Sequence, residues 1–386
     1  MHKFLLIEGT DYKGFPGGGQ TQQAMNVLRM FPNRVVLVGI STDETPVGRW
    51  VKKRFHGSEV DFFGVWHQSI NYNKPFIPSR MNLFLKLKRF RRRIESIGLD
   101  YMLTQCPEVI MATHDWHWPH ICYWAPGVGN PLKESRYLLG RMLAGVYDRY
   151  LYNALDKVDI ILASASEKKI SDFINRSKGR ISSHKVVKFP TRVDINFFKP
   201  ESKPSRLGGR KRRPTFIALG RLSKVKGWKL LLEALSNYIE RYQDAELFFV
   251  GDGENRQQIL NKIESLGLVG KVQLTGHLSK DEVRARLQFS DVVLFGSTGE
   301  GWSVAMVEAI ACGKPIVSTH VSGSTEMIQE GRNGFIVQNR DSREFADKIH
   351  MALNLENASQ ISRSLAKRYS LESLKSDLER FWLDGQ

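Results

Sequence analysis

Cysteine is scarce in this 386-residue chain. Cys106, Cys122 and Cys312 are odd in number, widely spaced and without a Cys-x-x-Cys pair, so neither a disulfide framework nor a structural zinc site is expected. No apolar run approaches the ~18 residues needed to span a bilayer. Phe4-Leu5-Leu6-Ile7 is cut short by Glu8, no signal peptide is visible, and a cytoplasmic protein is the expectation. An Asp-x-Asp pair for a divalent cation is absent, as is any internal repeat. The hydrophobic fraction of 41% and charged fraction of 25% exclude disordered, collagenous and solenoid chains. The length is too great for one ordinary core and suits two domains of roughly 150 to 200 residues.

Positive charge is what the chain has in excess: 57 Lys plus Arg stand against 40 Asp plus Glu, a net +17. Residues 1–200 hold 30 of those cations and 17 of the acids, so the first half carries the field. Its densest stretch is Lys86-Leu87-Lys88-Arg89-Phe90-Arg91-Arg92-Arg93-Ile94, where Leu83, Leu87, Phe90 and Ile94 recur at helical spacing. Such a helix can lie on an anionic membrane with its cations toward phosphates. It can equally be a solvated face whose apolar stripe packs inward. A nucleic-acid partner is not expected, because no recognition motif or aromatic stacking platform accompanies the charge.

Short apolar, β-branched runs alternate with amphipathic segments, which points to an α/β fold with parallel sheets covered on both faces. In the first half the expected strands are Lys3–Ile7, Arg34–Ile40, Val109–Ala112, Ile160–Ala163 and Lys185–Lys188. The pattern then restarts with Thr215–Leu219, Glu246–Val250, Lys271–Leu274, Asp291–Phe295, Pro315–Ser318 and Gly334–Val337, joined by helices such as Trp228–Tyr242 and Glu254–Leu266. Between the series, the stretch from Glu201 to Pro214 is rich in Pro, Gly and charge and reads as a linker. Two doubly wound, Rossmann-like domains facing a central cleft follow, with ligands beyond the carboxyl ends of the strands.

Three loops carry candidate chemistry. Phe15-Pro16-Gly17-Gly18-Gly19-Gln20 precedes the helical run Thr21–Met30; its glycines allow close backbone approach and the helix start offers N–H groups to an anion. Gly220-Arg221-Leu222-Ser223-Lys224-Val225-Lys226-Gly227 sits between a strand and a helix. Cations on such a loop can converge on a diphosphate, a guanidinium as a fork and an ammonium as a point charge. Ser297-Thr298-Gly299-Glu300-Gly301-Trp302-Ser303-Val304 leads into a helix that carries Glu308. Glu300 and Glu308 would stand up to ~12 Å apart if every step were helical, reaching different parts of one extended ligand. Gly251-Asp252-Gly253-Glu254 has Arg256 where a dinucleotide fingerprint needs its third glycine, so it reads as a strand-to-helix turn.

With these residues in view, the sequence resembles the retaining glycosyltransferases of family 4, which adopt the GT-B arrangement. The likeness runs from Arg192-Val193-Asp194-Ile195-Asn196-Phe197-Phe198-Lys199-Pro200 through the Gly220–Gly227 loop, Gly251-Asp252-Gly253 and the Glu300 and Glu308 pair. It continues in Ala309-Ile310-Ala311-Cys312-Gly313-Lys314-Pro315-Ile316-Val317, Gly323-Ser324-Thr325-Glu326 and Gly331-Arg332-Asn333-Gly334-Phe335. The Gly17–Gly19 loop and His114-Asp115-Trp116 extend it, more weakly, into the first half.

Carried over, the resemblance implies that Arg221 and Lys226 hold the donor diphosphate. Glu308 would take the ribose hydroxyls, and Glu300, with the backbone of Gly301, Trp302 and Ser303, the transferred sugar. Gly18 and Gly19 would line the donor site. A histidine at the end of a first-domain strand lies near the sugar in the family; His114 is the choice here, with His117 and His120 as alternatives. The chain has Ser303 and Val304 where the commonest family version has glycine and leucine.

The domains expected are 1–195 for the acceptor, 196–369 for the nucleotide sugar, and a helix at 370–386 crossing back to the first. The implied reaction moves a hexose from a nucleoside diphosphate sugar, with retention and without a metal or other cofactor. The acceptor would be a lipid-linked or polysaccharide glycan, such as lipopolysaccharide, O-antigen or capsule, met at an anionic membrane by the first domain. Two rivals remain: the same architecture with other chemistry (nucleotide-sugar epimerase, phosphorylase or sucrose-type synthase), and a basic nucleic-acid-binding protein.

Overall fold

The computed structural model describes residues 2–16, 18–69, 78–130, 132, 141–201 and 213–384. Gly17 of the glycine loop and residues 202–212 of the linker lie outside them. The chain divides into two compact units, one formed by Met1–Thr191 with Leu371–Gln386 and the other by Arg192–Ser370. The divisions therefore fall at 191/192 and 370/371, a few residues from those read in the sequence.

The first unit is built on eight strands: β1 (Phe4–Ile7), β2 (Val35–Ser41), β3 (Trp50–Phe55), β4 (Ser58–His67), β5 (Tyr101–Thr104), β6 (His120–Ala125), β7 (Ile160–Ala163) and β8 (Val186–Lys188). They lie in the order β3-β4-β2-β1-β5-β6-β7-β8. All neighbours are parallel except the β3–β4 hairpin. Every residue of β1 and β2 is buried, as strands covered on both faces must be. The hairpin turns at His56 and Gly57, both with positive φ, the backbone that a tight two-residue connection needs. Strand β3 places Lys52, Lys53 and Arg54 on the sheet edge, where charge discourages pairing with another chain.

Five segments of this unit differ from the sequence reading. Val109–Ala112 is no strand but part of the helix Pro107–Thr113, all seven residues of which are buried. A short helix buried on every side shows the same unbroken apolar run as a buried strand, and Pro107 at its first turn marks the difference. The strand at this level is β5, eight residues earlier, and β3, β4 and β6 were not anticipated either.

The C-terminal stretch belongs to the first unit. Leu371–Leu378 is a helix, continued by a wider turn over Glu379–Leu383. Leu374, Leu378 and Trp382 are buried, and the Trp382 ring meets Phe4 and Tyr101 edge-on at 5.4 and 5.5 Å. Arg34 clasps Glu379 at 2.9 Å beside them.

The second unit holds six parallel strands: β9 (Thr215–Leu219), β10 (Glu246–Val250), β11 (Val272–Gly276), β12 (Val292–Phe295), β13 (Ile316–Thr319) and β14 (Gly334–Val337). Their order is β11-β10-β9-β12-β13-β14, the doubly wound arrangement in which the direction of strand addition reverses between β9 and β12. The helices Trp228–Arg241 and Arg256–Ser265 bury Leu231, Leu235, Ile259 and Ile263 against the sheet. All six strands were expected from the sequence; β9, β10 and β14 have the expected bounds, and the ends of β11, β12 and β13 are shifted by one or two residues.

Candidate functional site

In a doubly wound sheet the loops on either side of the reversal separate and leave a crevice. In the second unit these are the loops that follow β9 and β12. Gly220 and Gly227 bound the first of them at φ 128° and 66°, with a single tight turn over Lys224–Lys226 between. A Cβ on Gly227 would stand 1.7 Å from the carbonyl oxygen of Gly296, so only glycine lets the two loops approach this closely. The turn after β10 is pressed against the same loop. A Cβ on Gly251 would fall 2.3 Å from Gly220 O, and one on Gly253 would fall 2.5 Å from Leu222 O.

The close approach brings the charged side chains together. Lys226 Nζ donates to Glu300 Oε1 at 2.6 Å, and Ser297 Oγ donates to the same oxygen at 2.7 Å. The Thr298 amide donates to Val225 O at 2.8 Å, tying the loops by backbone as well. Beneath them is a recess of about 20 Å³ lined by Gly220, Arg221, Lys226, Trp228 and Ser297, among others. That volume is about one water, so a larger ligand would lie across the loops. Arg221 turns to Glu254, with Nε 2.8 Å from the carboxylate; both side chains are about half exposed. Such a pair contributes about 0–1 kcal/mol, little enough for a phosphate to draw the guanidinium away.

Glu308 lies in the second turn of the helix Val304–Ala311. Burial pushes its carboxyl up to about 7, partly offset by the charge of Lys280. Ser303 caps that helix, its hydroxyl accepting from the Met306 amide at 3.3 Å. The Trp302 ring is buried beside Gly323, where a Cβ would come within 3.2 Å of it. Of the residues singled out from the sequence in this unit, Lys226 and Glu300 touch and Arg221 shares the recess. Glu308 does not line the recess.

Gly18, Gly19 and His114 belong to the first unit. Gly18, at φ 136°, precedes the helix Gly19–Met30. His114 was expected at the end of a strand, but it ends the helix Pro107–Thr113, roughly 12 Å along the axis from Cys106. Its Nδ1 faces Met111 O at 3.0 Å and its ring meets Tyr150 edge-on. His117 follows in the next turn, and His120 opens β6 at its amino end; neither stands at a strand's carboxyl end.

The reversal in the first sheet falls between β1 and β5, and there the sequence reading missed the principal residue. Glu8, directly after β1, is 2% exposed. It accepts from the Gln105 amide and from Cys106 Sγ, the latter at 3.2 Å. Burial pushes its carboxyl up to about 7 against the pull of those bonds and of Arg80. Beside it opens a cavity of about 210 Å³ lined by Glu8, Thr10, Gln20, Thr21, Arg80 and Leu83, among others. Arg80 pairs with Glu108 at 3.6 Å. The signal was present as a carboxylate ending an otherwise wholly apolar strand.

Among the described residues no helix is long and apolar enough to cross a membrane, and no group of three His, Cys, Asp or Glu could hold a metal ion.

Residues 201–369 match the family described as Glycosyl transferases group 1. A GDP-mannose-dependent alpha-(1-6)-phosphatidylinositol monomannoside mannosyltransferase of Mycobacterium tuberculosis is 30% identical over 172 residues, 42% of this chain and 44% of that one. The likeness thus spans less than half of the relative's length. Among solved structures, the sucrose-phosphate synthase of Thermosynechococcus elongatus superposes over 98% of both chains with a TM-score of 0.77 at 15% identity. The Anabaena protein HepE in complex with UDP superposes over 100% of both chains at 0.74 and 18%. At such identities these two likenesses concern the fold.

Proposed function

We propose, from the match of residues 201–369 to the glycosyl transferases group 1 family and from the GT-B fold, that the chain transfers a hexose from a nucleoside diphosphate sugar to a glycan acceptor with retention. The observation that carries this reading is the direct pairing of Lys226 with Glu300 at the sheet reversal of the second unit. A cation for the leaving diphosphate and a carboxylate for sugar hydroxyls meet where doubly wound sheets take their ligands. HepE, which shares the fold, was solved with UDP.

In this reading Lys226 and a re-aimed Arg221 neutralise the diphosphate without a metal, and Glu308 accepts from the ribose hydroxyls. Glu300, held by Lys226 and Ser297, fixes the sugar. The bond from the anomeric carbon to the diphosphate oxygen breaks while the acceptor oxygen bonds to the same face. The acceptor proton passes to the departing diphosphate oxygen. No step is assigned to His114. The acceptor is assigned to the first unit, supported by the Glu8 cavity; the mycobacterial relative's name specifies a lipid acceptor. A lipid-linked or surface-polysaccharide glycan is therefore the proposed acceptor.

A thermal-shift series with UDP, GDP, ADP and their sugars tests the donor, since a ligand of the native state raises the melting temperature. One nucleotide should stabilise the protein selectively; no shift with any of them overturns the reading.

Contact with an anionic membrane is part of the same proposal. It is supported by Met81 and Leu85, about half exposed on the helix Ser79–Glu95, with Lys88, Arg89 and Arg92 also on its exposed surface. Arg91 is engaged by Glu95 and Asp115, so Arg89 and Arg92 are the informative positions. Binding to phosphatidylglycerol vesicles should fall with Arg89→Glu and Arg92→Glu together; unchanged binding removes the membrane.

A further inference from the structure

Arg340 lies between β14 and the helix Ser342–Leu353 with φ at 53°, left-handed backbone that disfavours any residue with a Cβ and that glycine adopts freely. Strain of this kind persists where the surroundings impose it, often beside a functional site. Here the side chain shows what it secures. Nη1 donates to Ser297 O at 2.8 Å and Nη2 to Gly296 O at 2.9 Å. Both carbonyls belong to the loop after β12 that carries Glu300. Ser297 O is gripped a second time, by Thr319 Oγ1 at 2.7 Å.

The same guanidinium reaches the other loop. Its Nη2 lies 3.0 Å from where a Cβ on Gly227 would stand, and Gly227 directly follows Lys226. One planar cation therefore packs against the residue next to the ammonium while holding the turn that leads to the carboxylate. Partial burial lowers its pKa from the ordinary value, yet an arginine remains charged.

We propose that Arg340 is a positioning residue for the donor site, locking the loop of Lys226 to the loop of Glu300 from behind. The inference rests on the glycosyl-transfer reading. It names a residue that touches neither donor nor reacting atoms in that reading and acts through the two that do. A guanidinium can hold two carbonyls at once, whereas an ammonium is a single point of donation. Misplacing a catalytic group by about 1 Å can cost on the order of a hundredfold in rate, so loosening this lock should be felt in turnover.

The test uses the full chain as wild type, Arg340→Gly, Arg340→Lys, Lys226→Ala and Arg340→Gly combined with Lys226→Ala. Nucleotide affinity is read with UDP, GDP and ADP, and turnover with UDP-glucose, GDP-mannose and ADP-glucose. Glycine accepts the left-handed backbone, which offsets part of the loss of two hydrogen bonds, so the melting temperature of Arg340→Gly should fall only slightly. Its affinity for the nucleotide that wild type binds should fall roughly tenfold, and kcat on the order of ten- to a hundredfold. Arg340→Lys should recover part of both, and the double variant should lose less than the sum of its parts. Wild-type affinity and kcat in Arg340→Gly overturn the inference and leave the reading of the site intact. A loss that follows a steeply fallen melting temperature, with no recovery by lysine and full additivity with Lys226→Ala, makes the role merely structural and also overturns it. A wild type that binds none of the three nucleotides overturns the underlying reading, and the inference with it.

Discussion

The two units solve the same topological problem differently. Each has a parallel sheet that reverses its winding, and in each the loops at the reversal carry ionisable groups. In the second unit the loops are drawn together until a Cβ on Gly227 has no room, and the charges pair directly as Lys226 and Glu300 over a recess of about 20 Å³. In the first unit the loops meet through a buried carboxyl, Glu8, satisfied by an amide and a thiol of the loop after β5, and a cavity of about 210 Å³ opens beside the loop after β1. A tight cationic grip suits a group of concentrated negative charge. A wider polar hollow suits hydroxyls, which ask for acceptors and donors more than for field.

The largest effect that would separate the units comes from the C terminus. Removing residues 371–386 takes Leu374, Leu378 and Trp382 out of the first unit's core. At about 1.5–3 kcal/mol per buried side chain, that loss approaches the whole stability of a domain. Calorimetry should show the first unit's transition lost or far lower and the second's retained; two unchanged transitions would refute the packing role of this helix.

Next in size is the paired grip. Lys226→Ala should lower kcat by about 10²–10³, the usual loss for one group that stabilises developing charge, with the melting temperature little altered. Turnover within a few-fold of wild type would place the diphosphate elsewhere. No comparable loss is expected from Arg80→Gln in the first unit, where Arg80 lines the cavity beside Glu8; its effect should appear in the acceptor KM.

The smallest effect is in pH dependence, and its sign is fixed by burial. The folded-state pKa of Glu8, about 7, exceeds the ordinary carboxyl value, so the folded protein keeps a proton that the unfolded chain releases. Stability of the first unit should be full below about pH 4.5, decline as pH rises toward 7 and then level, by up to ~3 kcal/mol. In Glu8→Gln, denaturant titrations should show that slope flattened; an unchanged slope would assign it to other groups. Glu308, also raised to about 7, accepts hydroxyls as a carboxylate in the proposal, so donor affinity should weaken as pH falls below that value.

The two units were not equally legible in the sequence. The second announces itself because its strands are short apolar runs, those from β9 to β12 closed by Gly220, Gly251, Gly276 and Gly296, and its loops carry chemistry within a few residues of those ends. The first hides β3 behind three consecutive cations at a sheet edge and disguises the buried helix Pro107–Thr113 as a strand. That misreading put His114 at a strand end where the structure has a helix end. Glu8 was passed over as the residue that merely interrupts an apolar run. Arg340 could not be read locally at all: its partners lie 43 and 44 positions away, and only the folded sheet brings the loops after β12 and β14 together.

In the proposed function the Lys226–Glu300 pair forms the floor of a nucleotide-sugar site. A crystal structure of the protein with the nucleoside diphosphate that stabilises it tests this most directly. Diphosphate oxygens should lie within hydrogen-bond distance of Lys226 Nζ and of an Arg221 guanidinium released from Glu254, with the ribose on Glu308. A nucleotide bound elsewhere, with Lys226 and Glu300 still paired and untouched, would contradict it.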